Sequence, residues 1–293
     1  MRVTVLEVIQ RSAEFLAKRG VESPRLQIEL LLAHILRMPR LKLYLSFDRI
    51  LSDTELDALR ELVKRRANRE PLQHLVGSTS FCGLEMRVSR HVLIPRPETE
   101  LLAEKAWKYL LALPLESCAT GTPSALDFGT GSGCLAISLA VKCPAARVAA
   151  LDISPDALAL ARQNAAANGV DNRIDFHCGD GLEALPPGAR FDLIVANPPY
   201  IPSGEIEMLQ PEVRDYDPRL ALDGGPDGLA FFRRLAQGAG AFLPDGGTLM
   251  AEFGDGQSET VAERFLAAGW RVEGVEPDYS GRPRILIARR TGT

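Results

Sequence analysis

Residues 125–142, Ala125-Leu-Asp-Phe-Gly-Thr-Gly-Ser-Gly-Cys-Leu-Ala-Ile-Ser-Leu-Ala-Val-Lys142, read as a short apolar strand, a turn with three glycines, and a helix. Working outward, the pattern repeats. A strand, Arg147–Leu151, ends in Asp152. Ser154-Pro155-Asp156 opens a helix that stops at Asn168-Gly169, with Pro just inside the start and Gly past the end, as helix termini favour. A third strand, Ile174–Cys178, runs into Gly179-Asp180-Gly181, and a fourth, Phe191–Ala196, runs into Asn197-Pro198-Pro199-Tyr200. Thr248–Phe253 is a fifth strand and Gln257–Ala268 a helix. Trp270–Val275 with Arg284–Ala288 form a closing antiparallel pair. Strands alternating with helices predict an α/β fold around a mostly parallel sheet with an antiparallel C-terminal strand.

Ligands of such sheets sit beyond the carboxyl ends of the strands, where the distinctive residues of this chain fall. Gly129, Thr130, Gly131, Ser132 and Gly133 allow close backbone approach, and the following helix offers free N–H groups. Asp152, 19 residues past Gly133, is spaced to accept from ribose hydroxyls. Asp180 could read an adenine amino group. The run Gly131-Ser-Gly-Cys-Leu-Ala136 also fits the dinucleotide fingerprint G-x-G-x-x-A, a weak signal. The acidic surroundings, Asp127, Asp152 and Asp180, suit a cationic adenosyl sulfonium better than a pyrophosphate. Asn197-Pro-Pro-Tyr200 has no role in hydride transfer. Two prolines remove backbone donors there and fix φ. The corner is therefore rich in acceptors and suits a planar –C–NH2 group, gripped by the Asn197 side-chain oxygen and the Pro198 carbonyl with Tyr200 stacked beside it. No base or nucleophile is present, so such a site would act by positioning.

Residues 1–75 read as a small bundle of helices. Val5, Leu6, Ile9, Ala13 and Leu16 recur at helical spacing, Ser23-Pro24 opens a second helix, and Ser52-Asp-Thr-Glu55 forms a capping box for another. The basic run Lys64–Arg69 reads as a solvated helix end, with a nucleic-acid patch as the less favoured alternative. Residues 76–97 are expected to form a β-hairpin about Gly83 and an extended linker, with Thr99 or Glu98 capping the next helix, Leu101–Leu111. Arg96 and Glu98 are possible substrate-facing residues. The catalytic domain is expected over 98–293, with 201–228 as a lid.

Composition fits a globular protein: 46% hydrophobic and 25% charged residues exclude a disordered chain. No apolar run reaches the ~18 residues needed to span a bilayer, so a cytoplasmic enzyme is expected. Five cysteines without a C-x-x-C pair and four scattered histidines predict neither disulfides nor a metal site. Net charge is +5 over residues 1–94 and −9 over the rest.

Leu126–Gly133, Asp152, Gly179-Asp180 and Asn197–Tyr200, together with Val92-Leu-Ile-Pro-Arg-Pro-Glu-Thr-Glu100, Phe81-Cys-Gly-Leu84 and the helical front domain, resemble the peptide chain release factor glutamine methyltransferases (the HemK or PrmC family). These are class I S-adenosyl-L-methionine-dependent enzymes. The resemblance implies a Rossmann-like seven-stranded methyltransferase sheet. It implies that Gly129–Gly133 wrap the methionine moiety, Asp152 holds the ribose, and Asp180 with Gly181 the adenine. Asn197 touches cofactor and substrate, with Asn197 and Pro198 as the catalytic pair. Asn197–Tyr200 would bind the glutamine of the Gly-Gly-Gln tip of class 1 release factors, giving N5-methylglutamine. The front domain would dock the release factor. Phe128 and Gly181 depart slightly from the family pattern, and the second leaves the partner stacked on adenine open. The rivals are an adenine-N6 nucleic-acid methyltransferase, for which −9 on the catalytic half is unfavourable, and a non-catalytic adapter.

Overall fold

A computed structural model describes residues 3–292. The chain divides into two compact units, Met1–Ser78 with Gln210–Tyr216, and Thr79–Leu209 with Asp217–Thr293. The hairpin and the Pro-rich segment after it thus group with the sheet unit. A short piece of the expected lid groups with the helical one.

In the helical unit, α1 (Val5–Ala17), α2 (Pro24–Ile35), α3 (Arg40–Leu43), α4 (Asp53–Ala67) and α5 (Leu72–Val76) enclose one apolar core that includes Ile9, Leu16, Ile28, Leu31, Leu32 and Leu59. Capping boxes start α1 (Thr4 with Glu7) and α4 (Ser52 with Glu55), each satisfying two orphan backbone donors. The basic end of α4 is not a free cationic face. Arg65 pairs with Glu70, and Arg66, only 4% exposed, donates to Glu212 at 2.7 Å, as does Arg69. Glu212 sits in the helical turn Pro211–Arg214, so the reading of that run as solvated gives way to an inter-segment clamp.

The sheet unit opens with the hairpin β1 (Ser78–Phe81) and β2 (Leu84–Arg87). Its turn residues Cys82 and Gly83 both have positive φ, 51° and 78°, the backbone that two-residue hairpins need. Next comes α6, Pro97–Ala112, which begins earlier than expected. Pro97 at its first position needs no N–H there and brings its φ preset. Neither Glu98 nor Thr99 caps it: Arg96 is the N-cap and gives no side-chain cap bond. The remaining strands are β3 (Ser124–Phe128), β4 (Arg147–Asp152), β5 (Ile174–Cys178), β6 (Leu193–Ala196), β7 (Thr248–Glu252), β8 (Trp270–Pro277) and β9 (Pro283–Arg290), with α7 (Cys134–Lys142) and α8 (Pro155–Ala167) between β3 and β5.

These seven strands form one sheet in the order β5-β4-β3-β6-β7-β9-β8. Pairing is parallel from β5 to β7, and β9 runs antiparallel to both neighbours. This is the sheet expected from the sequence. Alternate residues feed two cores. Ala125, Leu193 and Val195 pack with Leu102 of α6 and Leu135 of α7. Leu126, Ile194 and Leu249 pack with Phe232 and Phe265 of the helices Ala230–Gly238 and Ser258–Ala267. Helices cover both faces, so the centre of the sheet is buried and only the strand ends are left for chemistry. Just before β6, the buried Asp192 carboxylate accepts from Ala119 N, Ser124 N and Ser124 Oγ at 2.7–2.8 Å, tying the start of β6 to β3. Among the described residues, no helix is long and apolar enough to cross a membrane.

Candidate active site

At the carboxyl ends of β3, β4 and β6 lies a cavity of about 410 Å³. Gly129, Thr130, Gly131 and Ser132 form part of its wall, and Asp152, Gly179, Asp180 and Gly181 another part. Asn197, Pro198 and Pro199 line it as well. Two of the expected residues, Gly133 and Tyr200, do not reach the wall.

The glycine loop folds over the end of β4, where Gly129 N and Thr130 N both donate to Leu151 O at 2.8 and 3.0 Å. That turn needs positive φ at Gly129, Gly131 and Gly133, 74°, 55° and 83°. A methyl at Gly129 would meet nothing within 4 Å, so there the backbone itself faces open space. Gly133 instead serves helix packing. A Cβ on it would lie 3.0 Å from Ile137 Cδ1 and 3.1 Å from Ala161 Cβ, so its missing side chain lets α7 and α8 approach. Asn164 of α8, fully buried, bonds Ser132 O and both backbone groups of Arg87, tying the loop to the hairpin.

Asp152 accepts from Gly131 N at 2.8 Å and Ser154 N at 2.9 Å. Burial pushes its carboxyl above the ordinary range, and these backbone donors pull it back. Each oxygen has a further lone pair for a ligand hydroxyl. Asp127, beneath the loop and fully buried, accepts through Oδ2 from Thr130 Oγ1 (2.6 Å) and Ala136 N (3.0 Å). Its Oδ1 has no partner, and burial raises its pKa to about 7. Asp127 does not reach the cavity, but Asp152 and Asp180 place two carboxylates on its wall, which favours a cationic ligand over a pyrophosphate. The residues present therefore fit an adenosyl sulfonium.

Asp180 is engaged otherwise than expected. Its Oδ1 accepts from Arg234 Nη1 at 2.8 Å and its carbonyl from Arg234 Nη2 at 3.2 Å. An adenine reader there would work through what Arg234 leaves: the second carboxylate oxygen and the local backbone. Gly181, φ 95°, lies so close to Arg234 that a Cβ would sit 2.3 Å from Nη2.

At the Asn-Pro-Pro corner, Asn197 Nδ2 donates to Thr99 Oγ1 at 3.0 Å, and Thr99 Oγ1 donates to Glu252 Oε2 at 2.7 Å. Tyr200 is partly buried and packs against the core on one face of the sheet. Its carbonyl accepts from Gln257 Nε2 at 2.9 Å, and burial pushes its phenol up to about 12. The ring is thus not among the groups that line the cavity. Gly224 and Gly228 press on the same segment, where a Cβ would lie 2.9 Å from Pro199 O and 2.3 Å from Tyr200 O respectively.

Of the two open candidates, Arg96 lines the cavity and Glu98 does not. Arg96 donates to Asp217 at 2.6 Å, and burial lifts that carboxyl to about 6 despite the cation. Sequence reasoning misses Asp217, Arg234, Glu252, and Thr99 as anything but a cap. A carboxylate closing the apolar strand Thr248-Leu-Met-Ala-Glu252 is the one signal that could have found any of them.

Comparisons with known proteins agree with this geometry. The family described as "PrmC N-terminal domain" matches residues 7–77, and "Methyltransferase small domain" matches residues 109–211. A release factor glutamine methyltransferase of Geobacter sulfurreducens is 44% identical over 98% of this chain and 96% of its own. Its counterpart from Chlorobaculum tepidum is 46% identical over 97% and 96%. Among solved structures, a methyltransferase from Pyrococcus furiosus superposes with a TM-score of 0.53 at 19% identity, covering 78% of this chain and 99% of that one, which speaks for the fold alone. With such identity sustained from end to end, the chain belongs to the release factor glutamine methyltransferase family.

Proposed function

We infer that this protein methylates release factors, transferring a methyl group from S-adenosyl-L-methionine to the side-chain amide nitrogen, N5, of a glutamine. The glutamine is the one in the Gly-Gly-Gln motif of class 1 peptide chain release factors. The observation that carries this reading is a shared cavity. Asn197, Pro198 and Pro199 line the same space as Gly129–Ser132 and Asp152, so an acceptor-rich corner and a nucleotide-type cradle meet in one site.

When bound, the cofactor supplies an electrophilic methyl group whose bonding pair stays with sulfur as the sulfonium becomes a thioether. Gly129–Ser132 would hold its methionine end and Asp152 its ribose, with Asp180 and Gly181 near the adenine. The Asn197 oxygen and the Pro198 carbonyl would accept the two N–H groups of the substrate carboxamide. Gripped in that plane, the amide nitrogen has only its out-of-plane lobe to offer. An amide nitrogen is barely basic, and the corner holds no base. The chain's contribution is alignment, with the surplus proton lost to water after the N–C bond forms.

The helical unit is the part expected to grip the release factor body, and modification of release factors implies a cytoplasmic location. The test uses labelled S-adenosylmethionine with a native release factor and one whose tip glutamine is alanine. Label confined to the native protein, and lost with Asn197→Ala, supports the reading. Label on duplex DNA instead overturns it.

A further inference from the structure

The carboxamide of Asn197 can turn either its oxygen or its NH2 toward the cavity, and only the oxygen can receive an N–H of a substrate amide. Two buried side chains, distant in sequence, choose between these states. Thr99 is 2% exposed and Glu252 1%. They form a chain with Asn197, in which Nδ2 donates to Thr99 Oγ1 at 3.0 Å and that hydroxyl donates to Glu252 Oε2 at 2.7 Å. A hydroxyl has one proton. A Glu252 carboxylate can only accept, so it takes the Thr99 proton. Thr99 then meets Asn197 with lone pairs alone, which only the NH2 end can satisfy. A Glu252 that carries a proton can donate to Thr99, freeing the hydroxyl to donate onward to Asn197 Oδ1, and the whole chain reverses.

We propose that Thr99 and Glu252 are positioning residues that set the polarity of the Asn197 amide, keeping its oxygen available to the substrate nitrogen. This rests on the amide-transfer reading above and names the groups through which its key acceptor is oriented. The bonds are nonlocal: 98 residues separate Asn197 from Thr99, and 153 separate Thr99 from Glu252. Thr99 sits in the first turn of α6 and Glu252 at the carboxyl end of β7.

Charged groups reach Glu252 from each side. Burial raises its pKa to about 7. The Thr99 hydrogen bond, then Arg284 of β9, pull it down; Glu98 raises it and Arg96 lowers it. Tyr200, after β6, also feels its charge. Arg284 is itself held by Phe253 O at 3.0 Å and Asp278 at 3.5 Å. The active polarity belongs to the carboxylate, so turnover rises with pH as Glu252 loses its proton and then levels.

The experiment compares wild type with Thr99→Val, Thr99→Ser and Glu252→Gln for single-turnover methyl transfer and cofactor affinity between pH 5.5 and 8.5. Thr99→Val is expected to slow transfer roughly 10- to 100-fold with cofactor affinity within about twofold, and Thr99→Ser to restore most of it. Glu252→Gln, able to donate or accept, is expected to slow transfer and remove the rising limb of the pH profile. Folded Thr99→Val and Glu252→Gln proteins with wild-type rates and profiles would falsify the proposal. So would a Thr99→Ser protein as slow as the valine variant, since methyl packing would then be the cause. A second readout needs no release factor: the Asn197 side-chain 15NH2 resonance, assigned by its loss in Asn197→Ala, should titrate in wild type and not in Glu252→Gln. Titration in an enzyme that leaves release factor unlabelled would overturn the substrate reading and keep the relay. A resonance indifferent to pH in active wild type would do the reverse.

Discussion

The glycine-loop wall and the Asn-Pro-Pro wall of the cavity are built by different means. On the first, backbone N–H groups hold the key carboxylate: Gly131 N reaches Asp152 across 21 residues of chain, and Ser154 N reaches it across two. Positive φ at glycines shapes the rest. On the second, the key amide is oriented by side chains whose partners lie 98 and 153 residues away. A wall made from backbone is fixed once its strands pair, and its substitutions register as affinity or stability. A wall made from a side-chain relay can be reversed without unfolding, so its substitutions register as rate.

Asn197→Ala should give the largest effect, a fall in transfer of roughly 10²–10³, with cofactor affinity by calorimetry within about twofold. Parallel loss of affinity would break the comparison by making Asn197 a part of both walls. Asp152→Ala should come next, weakening the cofactor about 10- to 100-fold through loss of about 1.5–3 kcal/mol of charge-assisted hydrogen bonding. Its rate at saturating cofactor should be little changed, and a collapse there would show that the backbone wall also aligns the methyl group.

The two glycines sharpen the contrast within one wall. Gly129→Ala has room for its methyl and should cost about 1–2 kcal/mol from φ alone. Gly133→Ala adds contacts of 3.0 and 3.1 Å with Ile137 and Ala161, and should cost roughly 1–3 kcal/mol more in urea unfolding. Asp127→Asn should show its effect only through pH. Burial raises the folded pKa of Asp127 from 3.8 to about 7. Its contribution to stability is therefore complete below the unfolded value and is lost as pH rises through about 7. The amide variant should flatten that decline by roughly 2–3 kcal/mol, measured as unfolding free energy at pH 5 and 8. Glu29 and Glu212, held below their ordinary range, run the opposite way, their contribution being lost only as pH falls below the ordinary carboxylate range, while Glu252 and Asp217, raised by burial, add to the decline.

Legibility in the sequence follows the same division. The glycine loop, the strand end at Asp152 and the sheet are readable because spacing along the chain and the apolar period carry them. Thr99 reads as a helix cap, since locally that is what a threonine near a helix start does; its bond to Glu252 requires β7 to be laid beside β6. Tyr200 reads as a ring beside the corner, and the structure adds that it packs against the sheet core while Gln257 holds its carbonyl. Asp180 reads as free, but Arg234 reaches it from a helix 54 residues on. The basic run at the end of α4 reads as solvated, and Glu212 from a segment 146 residues away closes on it.

The sequence by itself determined the α/β order of elements, the cofactor class and the family, because each is set by residue type and spacing along a few turns of chain. Only the tertiary structure decided that the Asn197 NH2 bonds Thr99, that Tyr200 packs against the sheet core, and that Arg96 and Arg234 arrive with carboxylate partners already in hand. Hydrogen-bond polarity and charge pairing depend on what the fold brings within bonding reach, and chain distance says nothing about that.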